Sequence, residues 1–345
     1  SHVASLRGWH TALARAEIAS LLPEVELKRL SARRLVQLEG EISAERMLEA
    51  VNCSSGCQAL LSHAVLWSRD DGIDSLIEKM GAYIQTHARK GSVAVRSWKH
   101  EGKMEGVSAR ELMRKIGGML SEQGYQIDLE QPDHRLGMVL DATAGIVACG
   151  WMIGTGDDSD GISARRATDR PFFKPVSLEP RLARAAVNIA AGPSNGYVVD
   201  PMCGTGGILI ESALCNRPTL GIDSDPEMGE GTKSNLEWAG VKAEVVRGDA
   251  TRHTYPDDLC AVVVAPPYGR NSQGEVELLA NTLRNISSQH SDCGLVVILP
   301  TLPSDVNLDE EIDSETSLFE ECGFTVQKVL GIPIHKSLAR KMVIA

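Results

Sequence analysis

The stretch Val199–Glu211, VDPMCGTGGILIE, decides the fold. It begins as a buried strand that stops at Asp200, turns through glycines and opens an apolar helix. Gly204 and Gly206 let the backbone approach a ligand closely. Strand, glycine-rich turn and helix make one unit of an open α/β sheet, whose ligands lie beyond the carboxyl ends of the strands. A plain tight βα turn reads the same way. A dinucleotide fingerprint wants G-x-G-x-x-G, and after Gly206 the run Gly207-Ile208-Leu209 leaves the third glycine absent. No P-loop lysine follows, which argues against a nucleoside triphosphate.

Outward from this unit the pattern repeats. From Pro180 to the end, helical and strand-like runs alternate and predict a mostly parallel sheet. The last two strands have no helix between them, so they are expected to form an antiparallel, hairpin-like edge. In Gly221-Ile222-Asp223 an acid ends the next strand, where a carboxylate accepts both hydroxyls of a ribose. In Gly248-Asp249-Ala250 a third acid follows a third strand, and Asp249 could accept from an adenine amino group. Each acid alone reads equally well as a surface loop residue. Three at successive strand ends, on one edge, point together to a bound nucleoside. Leu259–Gly269, LCAVVVAPPYG, is a buried strand halted by two prolines, with Tyr268 behind them. Ala265 stands where a side chain would reach into the crevice, and it offers only a methyl group.

The 345 residues carry a net charge of −11, which excludes a wholly basic nucleic-acid binder but not a local basic face. Residues 162–184 are such a face in sequence: Arg165, Arg166, Arg170, Lys174, Arg181 and Arg184 stand against Asp169 and Glu179. Phe172 and Phe173 lie among these cations, the mixture that meets nucleic acid; a solvated linker is the plainer reading. Of the eight cysteines only Cys53 and Cys57 are close, without a second Cys/His pair at zinc-finger spacing, so no structural metal is expected. Free cysteines in apolar runs and no run of membrane length predict a reduced, cytoplasmic protein.

Residues 1–70 read as a small α+β (ferredoxin-like) domain, with the run Ala59–Trp67 as a helix passing into a strand. Residues 71–154 read as a second small α+β domain: Arg96 sits on a strand, and Arg110, Arg114 and Lys115 on a helix capped by Ser108 with Glu111 in the capping-box position. Residues 155–176 are a linker, and 177–345 the regular α/β domain.

Taken in order, DPMCGTGGILIE, GID, GDA and the PPY tip resemble the S-adenosylmethionine-dependent amino-methyltransferases. RPFFKP at 170–175 and PIHKSLARKMVIA at the end narrow the resemblance to the archaeal tRNA (guanine-10 N2)-methyltransferase family. The resemblance implies a seven-stranded Rossmann-like sheet with its last strand antiparallel, preceded by a ferredoxin-like domain and a THUMP-type RNA-binding domain. It implies S-adenosyl-L-methionine as cofactor and tRNA as partner, with no DNA, no membrane and sometimes a small zinc-binding activator protein. Asp200, Gly204, Thr205 and Gly206 would line the methionine part, Asp223 the ribose, and Asp249 with Ala250 the adenine. In the family's D/N-P-P-Y/F tip the acid and the carbonyl of the first proline, here Pro266, take the guanine amine. Pro267 completes the tip and Tyr268 stacks on the base, which must be turned out of its helix. Arg96, Arg110, Arg114, Lys115, Arg165, Arg166, Arg170 and Lys174 would face the tRNA. The sequence departs from the family at Ala265, the acid position, so impaired turnover is expected. Other readings are a non-catalytic tRNA-binding module that keeps the cofactor pocket, and a guanine-N2 methyltransferase for another tRNA or rRNA position. A DNA adenine methyltransferase shares the tip but not the THUMP-like domain.

Overall fold

The computed structural model describes residues 1–154, 161–175, 177–266 and 273–345. The chain forms two compact units. The first is Ser1–Thr11, Glu24–Asn52 and Cys57–Asp157; the second is Ala12–Pro23, Cys53–Gly56 and Asp158–Ala345.

The first unit is built on β1 (His2–Leu6), β2 (Glu26–Arg29), β3 (Leu35–Glu39), β4 (Cys57–Ser68), β5 (Val93–His100), β6 (His134–Asp141) and β7 (Ile146–Ile153). They make one sheet in the order β2-β3-β1-β4-β7-β6-β5. The run expected to pass from helix to strand is strand throughout, as β4. It has hydrogen-bonding neighbours on both sides, β1 and β7, so its apolar character reflects burial and not helical periodicity. The boundary expected between residues 70 and 71 follows the end of this shared strand. Helix α1 (Thr11–Leu21) falls in sequence between β1 and β2, yet from Ala12 onward it belongs to the second unit. Among the described residues this part of the chain also carries helices α2 (Ala44–Cys53), α3 (Ile73–Thr86) and α4 (Ala109–Glu122). The Ser108 hydroxyl accepts from Glu111 N–H and caps α4 as expected.

The second unit carries β8 (Tyr197–Asp200), β9 (Thr219–Asp223), β10 (Glu244–Arg247), β11 (Leu259–Val264), β12 (Gly294–Thr301), β13 (Lys328–His335) and β14 (Leu338–Ile344). Their order is β10-β9-β8-β11-β12-β14-β13. Neighbours pair in parallel except at β14, which is antiparallel to both β12 and β13. The expected terminal hairpin is present, but β13 takes the edge and β14 inserts beside β12. Helices α5 (Pro180–Ala191), α6 (Gly207–Leu214), α7 (Pro226–Trp238), α8 (Gln273–Gln289) and α9 (Ser317–Glu321) lie between the strands in sequence. Val262 and Val264 of β11, Val297 of β12 and Val343 of β14 share one core with Leu279, Leu283 and Phe319 of α8 and α9. Strand alternation therefore turns Val263, Ala265, Arg340 and Met342 to the opposite face. The strand order reverses between β8 and β11, the switch point where such sheets open a crevice.

Candidate functional site

Asp200, Asp223 and Asp249 stand at or just beyond the carboxyl ends of β8, β9 and β10, on one edge of the sheet. Asp200 is buried, and its Oδ1 accepts from Met202 N–H at 3.1 Å. Burial, with the Asp223 charge adding to it, pushes its carboxyl up to about 8, so it is neutral at pH 7. The Asp223 carboxylate ties two turns together: Oδ2 accepts from Gly204 N–H and Oδ1 from Asp225 N–H, each at 2.9 Å. Each oxygen keeps a further lone pair for a ligand hydroxyl. Asp249 is committed to its own loop. Its Oδ1 accepts from Thr251 N–H and Oγ1, its Oδ2 from Arg252 Nε and Nη2. Those bonds hold its carboxyl down at about 2. Ala250 is buried, its carbonyl accepting from Tyr255 Oη and Asn285 Nδ2 at 3.0 Å each.

The glycine turn needs its glycines for different reasons. Gly206 has φ +79°, and a Cβ there would lie 2.8 Å from Thr232 Cγ2. At Gly204, φ +52°, a Cβ would meet only the Met202 carbonyl at 4.0 Å, so the backbone here borders open space. Helix α7 holds the turn from behind: Thr232 Oγ1 donates to the Gly204 carbonyl at 2.6 Å and Asn235 Nδ2 to the Thr205 carbonyl at 2.9 Å. Thr205 Oγ1 pairs with Ser177 Oγ at 2.9 Å. Sequence reading missed Thr232 and Asn235; their signal was two polar residues beside Gly231 on what must be the inward face of α7. Ala265 follows β11 half-buried and Pro266 is buried. Pro267 and Tyr268 lie outside the described residues.

The basic run 162–184 is not the surface strip that its sequence suggests. Arg165 and Arg170 are corrected from RNA-facing cations to interior ones. Glu211, fully buried in α6, accepts from Arg165 Nε at 2.8 Å and Nη2 at 3.0 Å, and from Arg184 Nε at 2.9 Å. A lone acid in the apolar run GILIE was the signal. Arg170 is 4% exposed, and its guanidinium lies over the start of α6, where a Cβ on Gly207 would come within 2.8 Å of Nη1. Nη2 donates to the Arg165 carbonyl at 3.2 Å, whereas Nε and Nη1 find no acceptor among the described residues. Burial lowers its pKa, opposed by the charge of Glu211. Lys174 pairs with Glu227 at 3.0 Å, leaving Arg166 exposed. In the first unit Arg110 and Arg114 are exposed on α4, Lys115 pairs with Glu111 at 3.6 Å, and Arg96 donates to the Leu129 carbonyl at 2.6 Å.

This edge of the sheet offers a close-approach turn, a neutral buried carboxyl, a hydroxyl acceptor and an interior guanidinium with two donors that find no acceptor among the described residues. Residues 167–304 match the family model of the RMKL-like methyltransferase domain. A tRNA (guanine(10)-N2)-dimethyltransferase from Pyrococcus abyssi is 31% identical over 348 residues, covering 94% of this chain and 96% of the relative. One from Methanothermobacter thermautotrophicus is 32% identical over 240 residues, 68% of each chain. Among solved structures, TrmN from Thermus thermophilus superposes with a TM-score of 0.50 at 18% identity, covering 99% of this chain and 98% of that one, a likeness of fold.

Proposed function

The chain belongs to the tRNA (guanine(10)-N2)-dimethyltransferase family, and from that premise we propose that it methylates the exocyclic N2 of the guanosine at position 10 of tRNA in the cytoplasm. Among the described residues no helix is long and apolar enough to cross a membrane. S-adenosyl-L-methionine is the methyl donor, and the residues present fit it. The Gly204 backbone borders open space, and Arg170 holds two buried donors without an acceptor among the described residues. Asp200, Gly204, Thr205 and Gly206 would hold the methionine part, and Asp223 the ribose. Asp249 and Ala250 would border the adenine. Asp249 takes an adenine amine only if Arg252 swings away, a small cost because the Arg252 side chain is 81% exposed.

The bound cofactor supplies an electrophilic methyl group on a sulfonium. The chain's own part is placement: the guanine amine is the nucleophile, and it must lie in line with the carbon–sulfur bond. With the donor held by Asp200, the glycine turn and Asp223, it would supply the methyl to the amine nitrogen, S-adenosylhomocysteine would be the leaving group, and an amine proton would pass to solvent. The Pro266 carbonyl would accept one amine N–H, and Tyr268 would stack on the base. Ala265 provides no second acceptor, and losing one such transition-state hydrogen bond slows reactions by roughly 10²–10³-fold. Arg110, Arg114, Arg96 and Lys115 of the first unit, and Arg166 and Lys174 of the second, would meet tRNA phosphates. A small zinc-binding activator protein is a further proposed partner.

The family membership carries this reading, and Ala265 is the one observation that favours another, a tRNA-binding module with a retained cofactor pocket. Methyl incorporation into unmodified tRNA decides between them. This chain is expected to transfer slowly and Ala265→Asp about 10²-fold faster, with a guanosine-10 to adenosine tRNA inert. If neither protein transfers methyl while both bind cofactor, the catalytic reading fails.

A further inference from the structure

Arg340 is a guanidinium that finds no partner among the described residues. It lies on β14, opposite Pro300 of β12 and Ile332 of β13. Because β14 runs antiparallel, its first residues sit at the carboxyl ends of the parallel strands, the edge that carries Asp200, Asp223 and Ala265. Arg340 also shares the sheet face of Ala265, away from α8 and α9. The side chain is half-buried, and among the described residues it makes no hydrogen bond or ion pair. Burial lowers its pKa and no carboxylate stands near enough to offset this. A half-buried cation with no acid beside it is placed to take an anion. Such a residue at a ligand edge is a receptor, where a structural arginine would be paired as Arg165 and Arg184 are.

Two anions belong to the proposed reaction: the carboxylate of the cofactor and the phosphates of tRNA. Strand order separates them. The glycine turn and Asp223 follow β8 and β9, on one side of β11, while Arg340 lies on the other side, beyond β12. At about 4.8 Å per strand, β14 is some 14 Å from β8, which leads into the glycine turn, and some 19 Å from β9, but only about 10 Å from β11 and Ala265. That is the scale of one nucleotide. Exposed His335 at the end of β13 and Lys336 in the turn before β14 make the same corner basic.

We propose that Arg340 is a positioning residue that grips a backbone phosphate of the tRNA beside the target guanosine, so that the base reaches the Ala265–Pro266 tip. This rests on the tRNA-methyltransferase reading.

The test uses the full chain with Arg340→Met and Arg340→Lys, and reads tRNA binding across a salt series, cofactor binding by calorimetry, and thermal stability. Arg340→Met should bind tRNA roughly 10-fold more weakly, the loss expected for one charge-assisted hydrogen bond. Its salt slope should be shallower by about one phosphate contact. Arg340→Lys should keep the slope and recover part of the affinity, and both should bind cofactor as the parent does. Unchanged tRNA affinity and slope in Arg340→Met overturn the proposal while leaving the methyltransferase reading intact. A selective loss of cofactor binding assigns Arg340 to the carboxylate and overturns it too. If Arg340→Met does not fold, Arg340→Gln takes its place with the same outcomes. A parent chain that binds no tRNA sinks both readings.

Discussion

Glu211→Gln is the sharpest perturbation the structure suggests. The carboxylate is fully buried, and Arg184 and Arg165 bring it side chains only 1% and 11% exposed. Glutamine keeps the shape, removes the charge, and turns an amide N–H₂ toward guanidinium donors. Two buried cations then lose their counter-charge, with the unpaired Arg170 already close by. Breaking a buried ion pair from one side costs about 3–5 kcal/mol, a large part of the 5–15 kcal/mol that stabilises typical domains. For a unit of this size that is a fall in melting temperature of roughly 6–20 °C. Scanning calorimetry is the assay, since two units are expected to melt as separate transitions; only the transition of the second should move. The contrast is the triple variant Arg165→Met, Arg184→Met, Glu211→Leu, which removes all three charges together and should lie closer to the parent than Glu211→Gln does. A loss below about 1 kcal/mol for Glu211→Gln, or a triple variant that is worse, would refute the argument from uncompensated charge.

Other consequences follow from single features. Gly206→Ala puts a side chain at φ +79° and 2.8 Å from Thr232 Cγ2, costing about 1–2 kcal/mol in backbone strain alone; calorimetric cofactor affinity should fall, and an unchanged value would show that the turn does not hold the ligand. Asp200 is neutral in the fold up to about pH 8 but ionised in the unfolded chain above about pH 4. Stability should therefore be lost as pH rises between these values, and Asp200→Asn should flatten that slope in denaturant titrations. His100 of the first unit behaves oppositely: burial holds it down at about 3, below its unfolded value of about 6.5. Its contribution is present above pH 6.5 and lost as pH falls toward 3, which fluorescence of Trp67, Trp98 and Trp151 would follow. A His100→Asn variant with the same acid midpoint would contradict it.

What the sequence determined by itself was local and chemical. A strand that ends at Asp200, glycines where φ must be positive, and acids after three strands are short-range features, and their stereochemistry allows few alternatives. The alternation from Pro180 onward was enough to specify a parallel sheet and a terminal hairpin. Partners far apart in the chain were not legible. Six cations within 162–184 looked like an RNA-facing strip because the carboxylate that claims Arg165 and Arg184 lies in α6, 46 and 27 residues away. Even near partners escaped where side-chain geometry decides: Asp249, read as an adenine acceptor, is already held by Thr251 and Arg252 of its own loop. Arg340 carries no signal of its own in the sequence, and only the insertion of β14 beside β12 brings it to the carboxyl-end edge of the sheet and half-buries it. Charge in a sequence is a count, whereas its effect depends on distance and dielectric. Those are set when the sheet closes its order, and so the fold and the glycine turn could be read from the residues while the partners of each cation could not.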